Sequence, residues 1–210
     1  MHIRGSRGQI VRDFMYDASG TITTGGTPQL VLPERLQNSS GFIQNISDTA
    51  MYVEFGGARA TATLTSGAVS STSITNNGFG YTTAPMVIFL GGGDSTKNPN
   101  YLCPGLPGFM SPACPAKGHT VLGTGGTAGT VISIVIDDPG ANYVKAPYVF
   151  LRSHENDPYG AAAPSTTSGL LLTPSGGNVM FNGTAFTTDA ISIYCVTTGK
   201  AFACKYTLGG

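Results

Sequence analysis

A shift of 62 positions lays one stretch of this chain on another. It carries Tyr81 to Tyr143, and with it Val69 to Val131, Ser71 to Ser133, Ile74 to Ile136, Gly78 to Gly140, Ala84 to Ala146, Pro85 to Pro147 and Val87 to Val149. Both copies read as a β-branched run, a Gly-containing turn, a Tyr, an Ala-Pro step and a second apolar run. Self-similarity at a fixed spacing marks a repeated supersecondary unit, and two copies are too few for a solenoid. The repeat therefore predicts two related β-hairpins packed together. What the shared positions specify is a shape rather than a reaction. Gly78 and Gly140 stand where a turn needs positive φ. Pro85 and Pro147 cannot donate to a ladder and mark strand starts or edges.

The text on either side of the repeat is also strand-like. Residues 21–24, 29–33, 40–45 and 51–55 read as short strands. Met51, Val53 and Phe55 alternate with Tyr52 and Glu54, the period of a sheet with one buried face. Gly56-Gly57 ends that strand, and strand-like runs return from Leu170 to the C-terminus. Between the two copies, residues 91–126 hold Gly and Pro at a density that predicts a long loop. The expected fold is all-β. Residues 19–57 and 168–210 form a β-sandwich or barrel, and residues 58–167 are an inserted β-rich lobe built from the two hairpins. Insertions of this kind are tolerated where entry and exit lie close together. Residues 1–18 form an N-terminal arm that either orders against something else or stays loose.

Charge narrows the function classes. Only 10% of residues are charged, and 11 basic residues balance 11 acidic ones. A nucleic-acid-binding face needs clustered positive charge to displace counterions, so no nucleic-acid partner is expected. A weakly charged surface has little self-repulsion and tolerates close packing against neighbours. No apolar run reaches membrane-spanning length and no signal-peptide core follows Arg4, Arg7 and Arg12, so neither membrane insertion nor secretion is expected.

The residues that could carry chemistry form no catalytic set. Cys103 and Cys114 bracket a Pro-rich loop that a disulfide would staple. Free thiols or a metal site are the alternatives there, but only His119 is near. With a turn at Gly199-Lys200, Cys195 faces Cys204 across a final hairpin, either as a disulfide or as a buried thiol pair. Tyr81 and Tyr143 are expected to cover the apolar face of their own hairpins, hydroxyl at the rim. The alternative makes them, with Phe109, a surface on which a sugar stacks. His154, Glu155 and Asp157 read as a solvated turn, since the ligand ladder of a calcium loop is missing. Asp137-Asp138, and Asn76-Asn77 at the same turn of the first copy, read as turn chemistry. Gly91-Gly92-Gly93-Asp94-Ser95 lacks the Lys and helix of a phosphate loop, and Ser175-Gly176-Gly177 is not a nucleophile elbow. No cofactor, no metal and no enzymatic activity are expected.

One resemblance adds to this reading. Ile43-Gln44-Asn45, a short polar turn, Tyr52 and Phe55-Gly56, then Thr188-Asp189-Ala190-Ile191 and Thr198-Gly199, resemble the text of small all-β phage virion proteins. The run from Asn76 to Pro85 is similar to repeats found in phage structural proteins. The resemblance implies a capsid decoration (cement) protein, located in the virion and assembled in the host cytoplasm. It would bind the major capsid protein or other virion proteins as a homo-oligomer, with a trimer as the expected form. A neck, collar or tail-fibre-associated component is the first alternative, and a glycan- or receptor-binding module the second.

Overall fold

The computed structural model describes residues 3–4, 10–11, 15–34, 38–93, 115–153, 157, 159–182 and 190–208. Strands β1 (Ile3–Arg4), β2 (Ile10–Val11), β3 (Met15–Asp17), β4 (Gly20–Thr21), β5 (Gln29–Leu32), β6 (Asn38–Asn45) and β7 (Met51–Phe55) come first. Next are β8 (Arg59–Thr65), β9 (Ala68–Asn76), β10 (Met86–Leu90), β11 (Lys117–Leu122), β12 (Val131–Asp138) and β13 (Tyr148–Arg152). The last are β14 (Leu170–Leu172), β15 (Asn178–Phe181), β16 (Ile191–Tyr194) and β17 (Ala201–Leu208). Pairing between strands is antiparallel, and the described residues contain no α-helix, only one 3-10 turn at Gly125–Thr127.

The chain divides into two compact units, Met1–Gly56 with Ala163–Gly210, and Gly57–Ala162. The first is a sandwich. One sheet runs β14-β7-β16-β5, the other β15-β6-β17-β3 with β4 also on β17. Met51, Val53 and Phe55 point inward as their alternation predicts, and meet Ile43, Phe181, Phe202 and Cys204 from the facing sheet. Full burial of each such side chain stabilises by about 1.5–3 kcal/mol relative to exposure. Glu54 is also buried, with Ser192 donating to its backbone carbonyl at 3.4 Å. Residues 15–17, placed in the N-terminal arm by sequence, join the sandwich by pairing with Lys205, Tyr206 and Thr207. Tyr16 stacks on Tyr206 with ring centroids 5.4 Å apart. The β1–β2 pair forms a separate two-stranded sheet.

The second unit is a six-stranded sheet ordered β12-β11-β10-β13-β8-β9, curled until its two edge strands meet. Val69 N donates to Pro139 O at 2.9 Å and Val131 N to Asn77 O at 2.9 Å, so the barrel is nearly closed. The two copies of the repeat are its two halves. β8-β9-β10 correspond to β11-β12-β13, and the central pair β10–β13 is in register with Ile88 opposite Phe150. Those two residues are themselves repeat equivalents, so a pseudo-twofold axis runs between them.

Two features correct the sequence reading. The two runs of each copy do not form a hairpin: β9 pairs with β8 and β12 with β11, while β10 and β13 pair with each other. The long Gly-Tyr-Ala-Pro connection carries the chain past its neighbour instead of turning it back. The other is a strand. Residues 91–126 are not all loop, since Lys117–Leu122 forms β11 and pairs with β10 and β12. The Gly and Pro that suppress regular structure are concentrated ahead of Ala116. The Lys-Gly-His-Thr-Val-Leu segment itself carries β-formers, and Thr120 is buried with its hydroxyl donating to Pro85 O at 2.7 Å. The repeat is therefore longer than the text suggested. Ala58-Arg59 and Leu64 map onto Ala116-Lys117 and Leu122 at a shift of 58, and the longer β11–β12 connection restores the shift of 62.

Candidate functional site

The repeated turn is the best-defined constellation of polar atoms in the barrel. After β9, Asn76 Oδ1 accepts from Gly78 N at 2.9 Å; after β12, Asp138 Oδ1 accepts from Gly140 N at 2.9 Å. Gly78 and Gly140 have φ of 63° and 65°, a region open to glycine at little cost. The chain then presents its tyrosine. Tyr81 Oη accepts from Ala58 N at 2.7 Å, and Tyr143 Oη from Ala116 N at 2.7 Å. The backbone N–H groups of the same tyrosines cross to the opposite half: Tyr81 N donates to Gly129 O at 3.1 Å, Tyr143 N to Gly67 O at 2.9 Å. Each half thus anchors the turn of the other.

Tyr81 and Tyr143 cover an apolar face, as expected, and the alternative that makes them a sugar-stacking surface is overturned. They are 3% and 4% exposed, and their hydroxyls lie in the interior, not at the rim. The physical reason is that the N–H ahead of each first strand is buried and needs an acceptor, which the phenol oxygen supplies. Burial raises the pKa of Tyr143 above the ordinary value, the Ala116 N–H opposes the rise, and the charge of Asp138 adds to it. The space around Tyr81 is tight, for a Cβ placed on Gly160 would lie 2.0 Å from its ring. Phe109, the third residue of that surface, lies outside the described residues, as do Cys103 and Cys114, His154 and Glu155.

Asp157 also departs from its expected place. It is 3% exposed rather than part of a solvated turn, and its Oδ2 accepts from Thr82 N at 2.8 Å and Thr83 N at 2.6 Å. Burial opposes its ionisation, but the amide donors of Thr83 and Thr82 outweigh it and hold the carboxyl below the usual range. Its Oδ1 is buried without a hydrogen-bond partner among the described residues. In the other half the matching N–H groups, Val144 and Lys145, donate to Gly92 O at 2.9 and 3.1 Å. A side-chain oxygen and a main-chain oxygen fill the same post.

Cys195 and Cys204 are both buried free thiols. They do not face each other across a hairpin. Cys195 follows β16, which pairs with β5 and β7, while Cys204 lies in β17, which pairs with β3, β4 and β6. The segment after β16 changes sheets, so the expected turn arithmetic fails. Burial, reinforced by the charge of Asp17, pushes the Cys204 thiol up to about 12, so it stays protonated and acts as a small apolar residue. Asp138 serves the turn as expected, whereas Asp137 pairs with His119 Nδ1 at 2.9 Å on the surface. Among the described residues no three His, Cys, Asp or Glu side chains are grouped to hold a metal, and no helix is long and apolar enough to cross a membrane.

Sequence reasoning missed Asp157, Ala58 and Ala116. The alanines left a signal in the shift of 58. Asp157 left none, because its counterpart, the Gly92 carbonyl, is not a side chain. No protein-family model, no curated protein and no solved structure matches the chain.

Proposed function

We propose that this chain is a phage virion structural protein, a capsid decoration component that stabilises a shell through contacts with neighbouring subunits. The observation that carries the reading is where the resembling residues fall. Ile43 is fully buried, and Asn45 Nδ2 donates to Thr49 O at 2.8 Å and Leu172 O at 3.1 Å. Gln44 Nε2 donates to Gly176 O at 3.2 Å. Gly56 N donates to Ala190 O at 2.8 Å, and Thr198 Oγ1 accepts from Gly25 N at 2.8 Å. These motifs sit on the joints that tie the two chain ends into one sandwich. A sandwich so closed leaves its insertion free to differ, which suits a docking body with an added lobe. The role is mechanical: many copies, each adding contact area, stabilise an assembly by mass action.

Quantitative proteomics of purified particles tests this. A decoration protein is expected in hundreds of copies per particle, scaling with the major capsid protein. A handful to dozens would instead place the chain at a neck or tail, and absence from particles would end the virion reading. The glycan reading loses Tyr81 and Tyr143 to the barrel interior, and no other observation favours it.

A further inference from the structure

The outward face of the central strands β10 and β13 is apolar without being covered. Met86 is 56% exposed, Ile88 38%, Leu90 58%, Tyr148 74% and Phe150 50%. In the register of the pair, Ile88 lies beside Phe150, Leu90 beside Tyr148 and Met86 beside Arg152. Tyr148 and Phe150 are in ring contact, centroids 6.4 Å apart. Aromatic side chains present about 150–250 Å² each and the aliphatic ones less, so the exposed part of these five is roughly 500 Å². That lies at the upper end of what a monomeric surface ordinarily shows in one patch.

We propose that this face pairs two copies of the chain. A standard interface takes about 800 Å² from each partner, and in homodimers about 65% of it is apolar, which is close to what this face offers. The face is also self-complementary. β10 contributes aliphatic side chains and β13 aromatic ones, and the two strands are equivalents about the pseudo-twofold axis. A second copy turned over along the strand direction sets Ile88 on Phe150 and Leu90 on Tyr148, each contact made twice, as an isologous dimer requires. Arg59 on β8 stands directly beside Phe150, and Arg152 beside Met86, so cations border the apolar centre. The pairing does not depend on the virion reading and forms in the isolated protein.

Sedimentation of the full-length chain across about a hundredfold range of concentration tests it. The wild type is expected to pass from monomer to dimer. Ile88→Lys and Phe150→Ser each weaken the dimer by about tenfold or more, as losses at a central apolar anchor do. Met180→Ser, at a residue that is 77% exposed on β15, leaves it unchanged. Circular dichroism and thermal melting report whether each variant is folded. Should Ile88→Lys fail to fold, Met86→Gln takes its place with the same expectation. A wild type that stays monomeric throughout overturns the proposal, as does a trimer, or a dimer that Met180→Ser weakens as much as the face variants do. Absence of the chain from particles, with the dimer intact, would overturn the virion reading alone.

Discussion

The two halves of the barrel hold the same backbone with different atoms. Both set an Asx turn ahead of a buried tyrosine, and both send that tyrosine's N–H to a glycine carbonyl of the other half. They part at the next two residues, where the first half uses the Asp157 carboxylate and the second the Gly92 carbonyl. They part again in the hairpin loops. The first half turns on Ser66-Gly67, with φ of 51° and 78°, the two positive angles of a tight primed turn. The second spans Gly123 to Thr130 through a 3-10 turn. What the repeat preserves is the requirement that each N–H of the turn find an acceptor. Which group meets that requirement varies.

The largest expected effects test the shared part. Tyr81→Ala removes a buried ring and leaves the Ala58 amide without its acceptor, and Tyr143→Ala does the same to Ala116. Loss of a buried aromatic costs about 3–5 kcal/mol, so each variant is expected to destabilise by about 4 kcal/mol in chemical denaturation. If the halves are equivalent, the two losses agree to within about 1 kcal/mol. A much smaller loss for either one would break the symmetry argument.

Asp157 probes the first difference. Asp157→Ala strips the acceptor from two backbone amides and is expected to cost about 2–3 kcal/mol at neutral pH, as hydrogen bonds to a charged group do. The sign with pH follows from the lowered carboxyl. The stabilisation is fully present above the unfolded value, about 3.9, and is lost as pH falls through the lower folded value. Urea melts of wild type and variant are therefore expected to converge as the pH drops below about 4. The second half has no carboxylate at this post and supplies no such acid limb. A gap between wild type and Asp157→Ala that stays constant down to acid pH would mean the charge is irrelevant.

Tyr81→Phe and Tyr143→Phe keep the rings and delete only the hydroxyls. Each leaves one buried amide unpaired, at an expected cost of about 1–2 kcal/mol, measurable as a shift in denaturation midpoint at constant slope. Unchanged midpoints would show that water reaches the Ala58 and Ala116 amides.

Much of the fold was legible because its signals are local. The 62-residue shift found the repeat and both turn glycines but joined the wrong strands, since β9 does not pair with β10 nor β12 with β13. The alternation from Met51 to Phe55 found the inward face of β7. The tyrosines were placed at the right point in the chain and on the apolar face, but with the hydroxyl at the rim when it is buried. A phenol that accepts from an amide more than twenty residues away leaves no mark in its neighbours. β11 was hidden because composition averaged over residues 91–126 lets the Gly and Pro near its start speak for the strand at its end. Cys195 and Cys204 were set face to face because a turn at Gly199 looks the same whether the chain returns to its own sheet or crosses to another. Asp157 depended on a tertiary contact with Thr82 and Thr83, which no window of sequence contains.

The smallest expected effect lies where the halves differ and nothing is buried. His119 and Asp137 pair at 2.9 Å with side chains 58% and 51% exposed. The corresponding positions in the first half, Thr61 and Thr75, are uncharged, so that half has no ion pair at this place. A double-mutant cycle with His119→Ala and Asp137→Ala is expected to give a coupling below about 1 kcal/mol that shrinks further with added salt, as exposed pairs do. A coupling of several kcal/mol would mean that the second half, with its longer hairpin loop, relies on this pair for its register. The two halves would then differ in what holds them together, and not only in which atom accepts a hydrogen bond.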